Sequence, residues 1–89
     1  LHGYDTVDYV LGARRGQTLN VRLQPTNASA YFNVTRQGAD EALFIGSTSG
    51  NQFSGQLPAN GDYVVRVYLM RNAARRDEHA NYALTLGVR

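Results

Sequence analysis

Polar and apolar residues alternate along most of this chain with the period of two that marks strands buried on one face. Thr6 to Leu11 sets Val7, Tyr9 and Leu11 on one side and Thr6, Asp8 and Val10 on the other. Thr18 to Leu23 turns Leu19, Val21 and Leu23 inward and Asn20 and Arg22 outward. Ala30 to Thr35 separates Phe32 and Val34 from Tyr31, Asn33 and Thr35. The stretch DYVVRVYLM, from Asp62, is long for a strand. It aligns Tyr63, Val65, Val67 and Leu69 against Val64, Arg66, Tyr68 and Met70. Near the end, Tyr82, Leu84, Leu86 and Val88 alternate, and EALFI (41–45) is a short apolar run.

The punctuation agrees. GARRGQ turns at Gly12 and Gly16, QPTNAS is a loop around Pro25, and RQGAD reads as a hairpin turn. GSTSGNQ is a loop by its glycine and serine content. LPANGDY carries the strongest turn signal, with Pro58 opening it and Asn60-Gly61 supplying positive φ angles. About seven to eight short strands at the usual spacing predict an all-β fold, a small antiparallel β-sandwich. The length of 89 residues suits one domain, residues 1–89, with one modest core.

One segment breaks the rhythm. RNAARRDEHANY (71–82) lies between two strands and holds three arginines. It could form one or two helical turns with Asn72 as a cap, although so short a helix needs packing to persist. Arg71 and Arg75 are four apart, so a helical turn sets them on one face. From the residues alone, the plain reading is a solvated connection. Its arginines would pair with Asp77 and Glu78, each pair contributing about 0–1 kcal/mol. The other reading is a contact surface. Tyr4, in HGYD before the first strand, is open in the same way: a lid on the core, or an exposed ring that stacks on a partner.

Composition narrows the classes. Net charge is only +2, yet every basic residue is arginine, whose planar fork suits carboxylate or phosphate partners. Seven acids dilute those arginines. No basic patch interleaves with aromatics, which argues against nucleic acid. No apolar run reaches the ~18 residues of a membrane span. Cysteine is absent, so there is neither a disulfide framework nor a thiol nucleophile.

Catalysis has no support. No serine lies in a nucleophile-elbow pattern. His2 and His79 are far apart with no ligand spacing around them, which predicts ordinary surface histidines and no metal site. Asp5 and Asp8 are near each other, but alternation points them to opposite faces, and no acid pair is set across a cleft. Neither an enzyme nor a cofactor is expected. The glycosylation patterns at Asn27 and Asn33 read as coincidental.

The stretches GYDTVDYVLGARRGQTLNVRL (3–23) and LPANGDYVVRVYLMRNAARRDEHANYALTL (57–86) resemble the periplasmic inhibitors of goose-type (g-type) lysozyme. A more distant likeness is to the prepeptidase C-terminal (PPC-like) β-sandwich domains, which share the strand-GQ-strand and LPA-x-G-x-Y rhythm. The GYD start (Gly3-Tyr4-Asp5) and the RN-x-AR loop (Arg71 to Arg75) separate the inhibitors from that wider group, while residues 24–54 align only loosely. The resemblance implies a PPC-like or jelly-roll-like sandwich and a periplasmic location. It also implies that a signal peptide and an N-terminal segment precede this sequence. By the same resemblance, Tyr4, Arg71 and Arg75 enter the lysozyme's substrate cleft, where two guanidinium forks can meet catalytic carboxylates. Asn72 and Asp5 are candidate supports. A domain of this mass exposes roughly 5,000 Å², enough to give up the ~800 Å² that a standard interface takes from each partner. The alternative is a carbohydrate- or wall-binding accessory module of a secreted protein. A complete reading frame separates the two, since accessory modules sit within long chains.

Overall fold

Seven strands form two antiparallel sheets in a computed structural model that describes residues 1–39 and 42–89. In chain order the elements are β1 (Val7–Ala13), β2 (Thr18–Pro25), β3 (Ala30–Arg36), β4 (Ala42–Ile45), α1 (Gly46–Ser49), β5 (Gln52–Gln56), β6 (Gly61–Leu69), α2 (Arg71–Arg75) and β7 (Tyr82–Val88). One sheet has the order β1-β6-β3-β4 and the other β5-β2-β7. Asp40 and Glu41, where the expected RQGAD turn meets the EALFI run, lie outside the described residues.

The alternation in sequence becomes the inside and outside of the sandwich. Leu19, Val21 and Leu23 of β2 face Phe32 and Val34 of β3 and Tyr63, Val65 and Val67 of β6, and all are buried. Phe44 joins them by stacking on Phe32, ring centroids 5.0 Å apart. No charged or polar residue is buried among the described residues, so burial of apolar area and backbone ladders hold the two layers together. Tyr63 reconciles a phenol with this interior by donating its hydroxyl proton to the Ala59 carbonyl at 2.6 Å. The Tyr9 hydroxyl of one sheet meets the Tyr82 hydroxyl of the other at 2.7 Å.

Four local expectations need correction. Asn60 and Gly61 do not both take positive φ: Gly61 does (φ 143), whereas Asn60 accepts the Arg15 N–H through Oδ1 at 2.7 Å. Pro25 closes β2 rather than centring a loop. It sits past the end of β5 pairing and opposite Tyr82 of β7, a strand-end place that tolerates a missing N–H. The Gly-Ser stretch is not all loop, since Gly46–Ser49 makes one helical turn. That turn lies flat on β3, because a Cβ at Gly46 would come within 2.4 Å of the Phe32 carbonyl oxygen. Finally, Leu86 keeps its expected face but is 37% exposed, since β7 is an edge of the smaller sheet.

Two stability outcomes follow from these contacts. Phe32→Ala opens a hole at the centre of the sandwich and is expected to cost about 3–5 kcal/mol in urea unfolding. Burial, with the Tyr9 hydrogen bond second, pushes the Tyr82 phenol up to about 12. Because the folded value lies above the ordinary one near 10, the contribution is complete below pH ~10 and is lost as pH rises toward 12. Alkaline melting curves should therefore fall more steeply over that window for the parent than for Tyr82→Phe.

Candidate functional site

A five-residue helix has too few hydrogen bonds to persist alone, so α2 depends on its surroundings. Ala73 and Ala74, 0% and 2% exposed, press into a small cluster with Ala30, Leu69 and Ala80. The preceding residue, Met70, is tied down by its N–H to the Ser29 carbonyl at 2.8 Å, and its own carbonyl accepts the Ala74 N–H at 2.9 Å. Met70 is therefore the N-cap, with no side-chain acceptor, and Asn72 lies inside the helix instead of capping it. A side chain as long as methionine still leaves the backbone carbonyl free to start the helix, which is all this end requires.

The C-terminal end is built more completely. Asp77 takes the left-handed conformation (φ 55), its N–H bonds to the Ala74 carbonyl at 3.1 Å, and the Glu78 N–H bonds to the Ala73 carbonyl at 3.1 Å. This is a Schellman motif with aspartate in the place glycine usually fills. It stops the helix and turns the chain back along the N-terminal segment.

With the alanines inward, Arg71, Asn72 and Arg75 are exposed. The helical turn places Arg71 and Arg75 on one face, as their spacing predicts. The expected pairing of these arginines with Asp77 and Glu78 does not form. Glu78 instead receives the Arg76 Nε at 2.6 Å on one oxygen and the Asn27 amide at 2.9 Å on the other. Asp77 approaches His2, with Nε2 to Oδ1 at 3.7 Å. Arg71 and Arg75 have no ion-pair partner among the described residues. Two unpaired like charges one turn apart cost the helix a few tenths of a kcal/mol, roughly 0.2–0.5.

Tyr4 stands beside this helix, 69% exposed. An open groove of about 460 Å³ has Tyr4, Asp5 and Arg71 in its wall. Its floor is the outer face of the larger sheet, where Arg66, Tyr68 and Asn33 lie side by side. The Tyr68 hydroxyl donates to Asn33 Oδ1 at 3.1 Å. Arg66 grips Asp8 with both Nε and Nη2, at 2.7 and 2.9 Å, holding that carboxyl below its ordinary range chiefly through the hydrogen bond. Asp8 is thereby occupied and offers no cation site, and among the described residues no cluster of acids, histidines or cysteines could hold a metal. Asn72 and Arg75 lie outside the groove wall, Arg75 one turn along the helix from Arg71. A second concavity, about 330 Å³ around Arg22, Gln52 and Arg89, includes neither Tyr4 nor α2.

Sequence reasoning missed two things. Alternation placed Arg66, Tyr68 and Asn33 outward, but cross-strand register decides that they form one floor. His2 and His79, exposed as expected, are not isolated: they form a β-bridge and their rings stack at 4.1 Å and 3°. No spacing rule could reveal a contact between opposite ends of the chain.

No protein-family model matches this sequence. The inhibitor of g-type lysozyme of Escherichia coli (strain K12) is 30% identical over 94 residues, covering 100% of this chain and 68% of that protein. The chain belongs to the family of g-type lysozyme inhibitors. Two solved inhibitors of g-type lysozyme superpose on all of it. The periplasmic inhibitor PliG of Aeromonas hydrophila does so with a TM-score of 0.88, 38% identity and 80% of its own chain covered. The Salmonella Typhimurium protein gives 0.71, 26% and 84%.

The acid in this region is the easiest part of it to test. The Asn27 amide, then Arg76, hold the Glu78 carboxyl below its ordinary range. Its contribution to stability is present above the unfolded carboxylate range and is lost as pH falls through the depressed value. Asn27→Ala should move the Glu78 midpoint upward in a carbon-detected NMR titration. An unchanged midpoint would mean that Asn27 does not hold the carboxylate.

Proposed function

We propose that this chain is a periplasmic inhibitor of g-type lysozyme, and that α2 and Tyr4 are the parts that enter the lysozyme's substrate cleft. Its kinship with g-type lysozyme inhibitors supports the first half of the reading. One observation carries the second: Arg71 and Arg75 stand on one face of a packed helix, unpaired among the described residues, with the exposed Tyr4 ring beside Arg71.

The chemistry suits the task. A cleft that hydrolyses peptidoglycan with carboxyl groups is a negative, concave target. A guanidinium fork meets a carboxylate through two parallel hydrogen bonds, and each such bond strengthens as water is excluded. Free arginines make this cheaper, because no existing ion pair must be broken first. A tyrosine adds rigid apolar area with a polar tip at low entropic cost, which suits a surface that binds sugars. The inhibitor does no chemistry; it occupies the place of substrate. Asp5 and Asn72 flank these three residues as supports, Asp5 in the groove wall and Asn72 on the helix. The exposed area of 5553 Å² leaves room for the ~800 Å² such a contact takes from each partner.

The test is a turbidity assay on cell-wall substrate with goose-type, chicken-type and invertebrate-type lysozymes. The parent should block the goose type. Arg71→Ala and Arg75→Ala should each weaken inhibition by about 30-fold or more (~2 kcal/mol), with an unchanged melting temperature. Full inhibition by both variants would falsify the role given to α2.

A further inference from the structure

Tyr4 makes no side-chain hydrogen bond among the described residues, so the backbone that carries it decides where its ring leaves the surface. That backbone is fastened to one place. The Gly3 N–H donates to the Glu78 carbonyl at 3.0 Å, and the Ala80 N–H to the Leu1 carbonyl at 2.9 Å. The Asp5 N–H closes a turn onto the His2 carbonyl at 3.0 Å, with Tyr4 at its tip. The N-terminal segment thus runs antiparallel to residues 78–80, the stretch that leaves the Schellman cap of α2.

A ladder this short does not hold in water by its hydrogen bonds alone. Three features reinforce it. Leu1 packs against both apolar clusters, and its amino group donates to the Ala80 carbonyl at 2.9 Å. The His2 and His79 rings, one from each side, stack almost parallel at 4.1 Å. Gly3 is buried and takes φ +56, a conformation that strains other residues, and a Cβ there would lie 3.1 Å from the exposed Asp77 Oδ1. Asp77 is the residue whose left-handed backbone ends α2. The seat of Tyr4 and the end of the arginine helix therefore share one small joint.

We propose that the stacked His2–His79 pair and Gly3 are positioning residues, which set Tyr4 at a fixed place relative to α2 and so govern inhibition without touching the lysozyme. This rests on the function proposed above. It adds that the joint, and not only the three contacting side chains, determines potency. Both histidines are exposed and lie outside the main core, so removing their stack leaves the sandwich intact.

The experiment pairs two readouts. In the turbidity assay, His79→Ala should inhibit about tenfold less well (~1.4 kcal/mol) at an unchanged melting temperature, and His79→Phe, which restores a ring face, should recover to within about threefold of the parent. On a Tyr4→Ala background, His79→Ala should cause no further loss, because the ring it positions is gone. Undiminished inhibition by His79→Ala, or the same loss with and without Tyr4, overturns the proposal. The second readout is hydrogen exchange of the Gly3 amide, which needs no lysozyme and should quicken about tenfold in His79→Ala. An unchanged Gly3 rate sinks the joint itself. A parent that fails to inhibit while Gly3 responds sinks the assigned function instead.

Discussion

Two neighbouring alanines decide which side chains of α2 face the solvent. Ala73 and Ala74 are the only inward side chains of α2, and their methyl groups let the helix lie close against Ala30, Leu69 and Ala80. Larger residues would lift it, and without this contact a five-residue helix would unravel. Because the inward face is fixed, so is the outward one, and Arg71 and Arg75 leave the surface together. The left-handed Asp77 completes the constraint by ending the helix one residue beyond Arg76. Geometry that a loop would leave to chance is set here by packing.

Charge is handled with the same economy. Two of the acids near α2 face other groups, Glu78 held by Asn27 and Arg76 and Asp77 beside His2, while Asp5 lines the same groove as Arg71. Arg76 thus has a local role in neutralising the acid that could otherwise have drawn in its neighbours. On the outer sheet, Arg66 is likewise committed to Asp8. Of the arginines on this side, some are spent on internal pairs and two are left to act outward.

The sandwich was legible in the sequence because strand burial is a local signal. Every residue placed inward from Leu19 to Leu69 by alternation is inward, as the sequence from Phe32 to Val34 and from Tyr63 to Val67 illustrates. Turn chemistry was less reliable: Gly16, Gly38 and Gly61 take the positive φ of turns, but Asn60 does not, and a Gly-Ser run became a helical turn against β3. The helix at 71–75 was legible as an option, but not its cap, since Met70 contributes a backbone carbonyl that any residue could supply. The i, i+4 spacing of the arginines predicted a shared face correctly. Their freedom from Glu78 could not be foreseen, because it depends on Asn27, which reaches in from a distant loop. The stack of His2 on His79 was invisible for the same reason.

The seam that seats Tyr4 joins the first residues of the chain to residues 77–80, and Leu1 ties it to both apolar clusters. Fraying there breaks a few hydrogen bonds and uncovers Leu1 and Ala80, whereas opening the sandwich exposes the whole apolar interior. Local opening of this seam and loss of the fold are therefore separable events. A protease that clipped the chain just after Gly3 would take Leu1 away from both apolar clusters and leave Tyr4 at a free end, with the strand ladders of the sandwich still in place.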